Sequence, residues 1–226
     1  MKIFKTLSLL YLSFFSTYLC ANEHIEKSGV KLIDTEINKG LSKTDSNNDI
    51  EVFISDLQIK QGVASFIQKK HFTFLNNPIV SKGLLKIHQN SVIWQVNTPV
   101  FSKLIIVGDQ VWQQISKDNS QNNTPAKYQN IVSHASVETL IRAVFTGEIN
   151  RTKWNILLNE QQCLQLSPKD LILSQAIQKI AVCVPDDKTQ RFVTLTDAQG
   201  NLTEIELNIL THQLSGEDLR EFNIRK

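Results

Sequence analysis

Short apolar runs alternate with turn residues along the stretch from Gly62 to Ser116. The turn signals are Asn76-Asn77-Pro78, Gln89-Asn90, Asn97-Thr98-Pro99 and Gly108-Asp109. Runs and turns at this spacing predict an antiparallel meander. In one run, Val92, Trp94 and Val96 alternate with Ile93, Gln95 and Asn97, which is the period of a strand with one face more apolar than the other.

Two segments show helical rather than strand periodicity. Apolar residues recur at helical spacing from Ile50 to Leu57, where Asn48 or Asp49 is the expected N-cap and Gly62 follows the helix. The second segment, 133–145, places Val137, Leu140, Ile141, Val144 and Phe145 on one face and is followed by Gly147. Both segments predict amphipathic helices that need an apolar surface to pack against.

The C-terminal part of the sequence returns to strand-like alternation. It adds runs around Trp154–Leu158, Leu164–Leu166, Ile180–Val184, Phe192–Thr194 and Ile205–Ile209. With the meander this makes about ten strands. The predicted fold is mainly β (α+β), a single antiparallel curved sheet whose concave face buries the apolar helices.

Several residues of the meander resemble a known family in their order and spacing. They are Phe66-x-Gln68, Pro78, Ser81-x-Gly83-x-Leu85, Trp94, Pro99, Leu104 and Gly108-Asp109-x-x-Trp112. The pattern is similar to that of the periplasmic outer-membrane lipoprotein carriers (LolA-like proteins), and the chain resembles a divergent member. The resemblance implies an unclosed β-barrel with helices over its opening and a pocket for acyl chains.

The resemblance also implies a set of cavity residues. On the strands these are Phe66, Leu85, Ile87, Trp94, Leu104, Ile106 and Trp112, and on the second helix Leu140, Ile141, Val144 and Phe145. The implied function is a carrier that binds acyl chains of a lipoprotein or another lipid and transfers them towards the outer membrane. The implied partners are an inner-membrane loading complex and an outer-membrane acceptor.

One position departs from the resembled family. A gapless count back from Trp94 places His88 where the typical carrier has an arginine linked to cargo release. A neutral histidine lacks the permanent, forked charge of arginine. His88 is therefore a gating candidate. Either the network that closes the lid differs from that of the typical carrier, or the chain is a divergent relative that carries another lipid.

Two cysteines of the C-terminal strands are candidates for a disulfide. Cys163 precedes Leu164 and Leu166, and Cys183 lies between Val182 and Val184. Because side chains of a strand alternate, each cysteine lies on the face opposite the apolar residues of its strand. An antiparallel register that pairs Cys163 with Cys183 also pairs Leu164 with Val182 and Leu166 with Ile180. Directly opposed residues lie within disulfide distance, so the two thiols are either bonded or unlinked on the outer face.

The N-terminus has the pattern of an export signal. Lys2 and Lys5 precede an apolar run too short to span a bilayer, which predicts a signal peptide over 1–21 and an exported protein. The resemblance implies that it is exported to the periplasm. A polar arm, 22–48, and a single carrier domain, 49–226, are expected to follow. The two signal lysines account for the whole formal charge of +2, which argues against a nucleic-acid partner.

No catalytic or metal-binding pattern is recognisable in the sequence. The five histidines follow no ligand spacing, and neither a nucleophile elbow nor a phosphate-binding glycine loop is present. We therefore expect a monomer without cofactor, metal or enzymatic activity. The alternative function is a periplasmic interaction or assembly module that uses the curved sheet as a protein-binding surface around a filled core.

Overall fold

The computed structural model describes the chain from Asp45 to Asn223 with a few gaps. The described residues are 45–108, 110–114, 128–131, 139, 141–159, 161 and 163–223. They belong to one compact unit, Thr44–Lys226. The predicted signal peptide and nearly all of the predicted polar arm lie outside the described residues.

Eleven strands are present among the described residues and form one sheet. They are β1 (Gln61–His71), β2 (Ile79–His88), β3 (Ser91–Thr98), β4 (Ser102–Val107), β5 (Gln110–Gln114), β6 (Gln129–Ile131), β7 (Trp154–Leu158), β8 (Cys163–Pro168), β9 (Ile177–Cys183), β10 (Gln190–Asp197) and β11 (Leu202–Thr211). Their order is β6-β5-β4-β3-β2-β1-β11-β10-β9-β8-β7, and all neighbours are antiparallel. The predicted single antiparallel unclosed sheet is confirmed.

The helical segments are short apart from the first. They are α1 (Asp45–Leu57), a π-helical turn (Arg142–Thr146), α2 (Leu171–Ser174) and α3 (Gly216–Glu221). Helix α1 begins before Asn48, so the predicted cap at Asn48 or Asp49 is wrong and both residues lie inside the helix. The predicted domain boundary at residue 49 falls within this same helix.

Side chains of the sheet are buried on both faces. The face that carries Phe66 and Leu85 packs against α1 and the π-helical turn, and we call it the concave face. The opposite, convex face carries Ile93 and Ile105, both fully buried. The two faces are therefore covered by different segments of the chain.

The convex face is covered by residues 214–222, which we call the C-terminal strap. Phe222 is buried in one cluster with Ile93 and Ile105, and partly buried Trp112, Tyr128 and Leu214 pack around that cluster. Helix α3 begins with a capping box, in which the backbone N–H of Asp218 donates to Ser215 Oγ and the backbone N–H of Ser215 donates to Asp218 Oδ2.

Ion pairs fix the strap to the sheet. Lys86 Nζ lies 2.6 Å from Asp218 Oδ1 and 2.6 Å from Glu221 Oε1, and Lys103 Nζ lies 2.9 Å from Glu221 Oε2. The hydrogen bonds from Lys86 and Ser215 lower the pKa of the Asp218 carboxyl to about 2. Burial raises the pKa of the Glu221 carboxyl, but the hydrogen bonds from Lys86 and Lys103 outweigh it and leave that pKa below its ordinary value.

Cys163 and Cys183 are joined by a disulfide. The β8–β9 register pairs them directly, with Leu164 opposite Val182 and Leu166 opposite Ile180, as the sequence predicts. Their Cα atoms are 4.3 Å apart. The bond joins two neighbouring strands on the convex face and leaves the leucines on the concave face.

The strap should loosen in acid. A carboxyl whose pKa is depressed in the folded state stabilises the fold above its ordinary pKa, and this contribution is lost as pH falls from about 4 to about 2. At pH 7, Asp218→Asn should lower the free energy of unfolding by about 1 kcal/mol, since the carboxyl is partly exposed and screened. Urea unfolding at a series of pH values measures this difference, which should shrink towards pH 2.

A matched control for this prediction lies beside Asp218 in α3. Glu217 is exposed and forms no ion pair among the described residues. Glu217→Gln should therefore leave the free energy of unfolding unchanged across the same pH range. A deficit of Asp218→Asn that stayed constant from pH 7 to pH 2 would contradict the assigned role of the ion pair.

Candidate functional site

The concave face brings together six of the seven predicted cavity residues of the strands. Leu85 is paired with Trp94, Trp94 with Leu104, and Val92 with both Ile87 and Ile106 across the β2–β3–β4 ladder. Paired residues of a sheet point to the same side. The residues on this face are Phe66, Leu85, Ile87, Trp94, Leu104 and Ile106.

An aromatic stack lies at the centre of this face. The rings of Phe66 and Trp94 are stacked, with centroids 3.8 Å apart, and Phe145 lies 5.0 Å from Trp94. Gly83 lies on β2, between the strand of Phe66 (β1) and the strand of Trp94 (β3). A Cβ on Gly83 would overlap the carbonyl of Gln95 and come within 2.8 Å of Phe66 Cζ, so the stack requires glycine there.

Part of the predicted second helix lies over the stack. Ile141, Val144 and Phe145 are buried, whereas Leu140 and the N-terminal part of the predicted helix lie outside the described residues. The backbone at Arg142–Thr146 is π-helical rather than the predicted α-helix, and it ends at Gly147 with φ 71°. This wider turn buries four consecutive residues, 143–146, where an α-helix with one apolar face would not.

Helix α1 completes the cover of the concave face, with Ile50, Phe53 and Leu57 buried. Arg191, itself buried on β10, donates hydrogen bonds to the carbonyls of Leu57 and Asp56 at the C-terminal end of α1. A cation at this end also matches the helix dipole. Burial lowers the pKa of the Arg191 guanidinium to about 10, with Asp56 opposing that shift, so the group stays charged at neutral pH.

The two covering segments meet at Gly147. A Cβ on Gly147 would lie 3.0 Å from the amide nitrogen of Gln58 and 3.1 Å from Leu57 Cβ. Gly147 also takes a positive φ that favours glycine. Close packing of the two segments therefore depends on this residue.

Arg142 links the π-helical turn to the edge of the sheet. Its guanidinium donates to the carbonyl of Gly108, 3.0 Å away in the β4–β5 turn, and to Glu148 Oε2 at 3.1 Å. A groove of about 540 Å³ opens beside it, between α1 and residues 139–153. The Glu51–Arg151 ion pair lies in this groove, whose lining mixes charged and apolar residues.

The C-terminal half of the sheet contributes to the concave face as much as the N-terminal half. Its buried residues there share the registers of β7 to β11, and they are Trp154, Leu164, Leu166, Ile180, Val182, Val193, Leu195, Ile205 and Leu207. None of them is among the cavity residues predicted from the sequence, although their strands show the same alternation of apolar and polar residues. The indole N–H of Trp154 is buried and has no acceptor among the described residues.

One end of the concave face is polar. Gln68 lies opposite Ser81, and Lys70 lies opposite Thr203, all four buried. Burial lowers the pKa of the Lys70 ammonium, and Asp197 partly offsets that shift. The face thus runs from an apolar centre to a polar end beside the β1–β2 turn.

Trp112 does not belong to the predicted cavity, so that assignment is wrong. It is paired with Ile105 in the β4–β5 register and packs against the convex cluster under the strap. Its neighbours Val111 and Gln113 take the concave positions. Strand β5 starts just after a two-residue turn, and the sequence did not fix which of its alternating sets faces inward.

His88 also lies on the other side of the sheet, so it does not contact the cover of the concave face that it was predicted to gate. It is the last residue of β2, one position after concave Ile87, and its ring lies 5.7 Å from Phe222 of the strap. His88 Nδ1 is buried and has no hydrogen-bond partner among the described residues. A count of residues back from Trp94 does not specify on which face of the sheet the side chain of His88 lies.

The described residues contain no group of three or more His, Cys, Asp or Glu side chains placed to hold a metal ion. Within the same part of the chain, no helix has the length and apolar character needed to cross a bilayer. What the concave face offers chemically is apolar surface under a hydrogen-bonded cover.

A protein-family model described as outer membrane lipoprotein carrier protein LolA matches residues 58–219. Among solved structures, a LolA superfamily protein of Nitrosomonas europaea is 9% identical with a TM-score of 0.41, covering 76% of this chain and 96% of its own. A Vibrio parahaemolyticus domain described as outer membrane lipoprotein-sorting is 12% identical with a TM-score of 0.32, covering 79% and 97%. No curated protein matches the chain significantly.

The aromatic stack should be sensitive to a single methyl group. Gly83→Ala forces the added Cβ into the Gln95 carbonyl and the Phe66 ring, so it should lower the free energy of unfolding by at least about 2 kcal/mol. Gly216→Ala is the matched control, because a Cβ there meets nothing within 4 Å. Urea unfolding compares the two, and equal midpoints would contradict the close packing at Gly83.

Proposed function

Since the chain belongs to the LolA family of outer membrane lipoprotein carrier proteins, we propose that it is a periplasmic lipid carrier. It binds acyl chains of a lipoprotein or another lipid on the concave face and transfers them towards the outer membrane. The observation that carries this proposal is the single apolar face that joins Phe66, Leu85 and Trp94 beneath the Ile141–Phe145 cover. No bond is made or broken in this function.

Burial of methylene groups supplies the binding energy. Each CH₂ removed from water contributes about 0.8 kcal/mol, so a dozen give on the order of 10 kcal/mol. A diacylated or triacylated cargo therefore crosses an aqueous compartment only inside an apolar enclosure. In this proposal the concave face and its cover of α1 and the π-helical turn enclose the acyl chains.

Cargo has to displace the cover, because the concave side chains already fill the space between sheet and cover. Phe66, Leu85 and Ile106 are each about 1% exposed. Arg142 holds one side of the cover through the Gly108 carbonyl, and Arg191 holds the other through the end of α1. Opening the cover therefore breaks these charge-assisted hydrogen bonds together with apolar contacts of the concave face, and the bound acyl chains take the place of those apolar contacts.

The proposed cycle has two protein partners. An inner-membrane complex loads the lipid by opening the cover, and an outer-membrane acceptor of higher affinity withdraws it. The interaction-module alternative keeps the core filled throughout and carries no lipid. The two functions differ in what co-purifies with the protein.

Native mass spectrometry and lipid extraction of protein purified from the periplasm test the carrier. Ile141→Asp places an unpaired charge at the centre of the cover, where burial is costly, and should reduce co-purified lipid at least about tenfold while strand content in circular dichroism persists. Val52→Asp, on the exposed side of α1, is the control and should retain lipid. Wild-type protein free of lipid, or unfolding of Ile141→Asp, would contradict the proposal.

Arg142 is the proposed gate residue in place of His88. Arg142→Gln removes the charge that holds the π-helical turn to the Gly108 carbonyl, so a bound fluorescent acyl chain should dissociate on the order of tenfold faster. Stopped-flow displacement measures the rate. His88→Gln, on the convex face, is the control, and equal rates for Arg142→Gln and wild type would exclude the gate.

A further inference from the structure

Exposed apolar side chains collect at one end of the sheet. The antiparallel order brings the β1–β2, β3–β4, β8–β9 and β10–β11 connections to the same end. Phe74 is 73% exposed in the β1–β2 connection and Leu171 is 80% exposed at the start of α2, between β8 and β9. Leu75 follows Phe74, Val80 lies near the start of β2 and Val100 lies in the β3–β4 connection, and all three are exposed. We call these five residues the apolar rim.

Hydrogen bonds tie the connections of this end to one another. Thr73 N donates to Asn201 Oδ1, which joins the β1–β2 connection to the β10–β11 turn. Ala198 N donates to the carbonyl of Ala176, which joins that turn to the start of β9. Three of the four connections at this end are therefore joined to one another by hydrogen bonds.

The rim is wide and discontinuous. Between β2, which begins at Ile79, and β9, which begins at Ile177, lie β1, β11 and β10. At the spacing of neighbouring strands this separation is about 20 Å. Apolar side chains spread over this distance, with lysines beside them, match a bilayer surface, which offers apolar and anionic groups over its whole extent.

Lysines surround the rim. Lys69, Lys82 and Lys179 are exposed near the same strand ends and form no ion pair among the described residues, and Lys169 donates to the carbonyl of Arg151. The carboxylates of this end are engaged locally: Asp170 caps α2, Asp197 accepts within its turn, and Glu204 pairs with His71. Exposed apolar residues with flanking lysines are typical of contact with an anionic membrane surface.

We propose that the apolar rim docks this protein onto a bilayer that contains anionic phospholipid. Phe74, Leu75 and Leu171 enter the headgroup region, and the lysines contact the lipid phosphates. The proposal goes beyond the carrier function, since it concerns the loop end of the sheet and not the covered concave face. Vesicle binding by protein that carries no lipid would support the docking proposal without the carrier function. Bound lipid in protein that does not bind vesicles would support the carrier function without the docking proposal.

Vesicle flotation of the exported protein tests the rim. Wild type should float with vesicles of phosphatidylcholine and phosphatidylglycerol and much less with phosphatidylcholine alone. Phe74→Asp/Leu75→Asp and, separately, Leu171→Asp should each lower the bound fraction about tenfold. Phe74→Ser/Leu75→Ser is a milder form that should lower binding in the same direction if the aspartates disturb the loop.

The chain offers matched controls away from the rim. Leu157, on edge strand β7, and Leu210, near the opposite end of β11, are 60% and 59% exposed. Leu157→Asp and Leu210→Asp should float like wild type. The proposal is overturned if wild type does not bind anionic vesicles, if the rim variants bind like wild type, or if the controls lose binding to the same extent.

Discussion

The pairing of the first strand with the last is the constraint on which the fold depends. Strand β1 forms its ladder with β11 in the middle of the sheet, with Phe66 opposite Leu207 and Gln68 opposite Ile205. On one side of this seam β1 to β6 follow in sequence order, and on the other β11 to β7. Without it the chain would be two meanders, each with half of the concave face and an unpaired edge strand at its centre.

The two faces of the joined sheet are covered in physically different ways. On the convex face, ion pairs from Lys86 and Lys103 hold the strap over a small apolar cluster. On the concave face a much larger apolar area lies under α1 and the π-helical turn, which are held in place by hydrogen bonds from buried Arg191 and from Arg142 at the edge of the sheet. The first arrangement suits a permanent closure, and the second suits a cover that opens and closes over apolar cargo.

Periodicity in the sequence predicted the features that depend on local alternation of apolar and polar residues. It did not predict which face of the sheet a side chain occupies where contacts with distant parts of the chain decide this. The pairing of Cys163 with Cys183 followed from apolar residues on both strands, because a shift of one residue would have placed leucines opposite polar positions. Trp112 lies in a strand of only five residues that follows a turn, and His88 is the last residue of β2; in both places alternation alone does not say which set faces inward. Strand β6, of three residues, is too short to show any period.

The bond from Arg191 to the end of α1 has a consequence for the order in which the chain acquires its structure. Helix α1 precedes every strand, yet the guanidinium that holds its last carbonyls belongs to β10. A chain that is synthesised N-terminus first therefore presents α1 without the group that holds its last carbonyls until β10, close to the end of the chain, has followed. During that interval α1 lacks the hydrogen bonds from Arg191, and apolar surface that is incompletely covered in this way is prone to aggregation until β10 has paired.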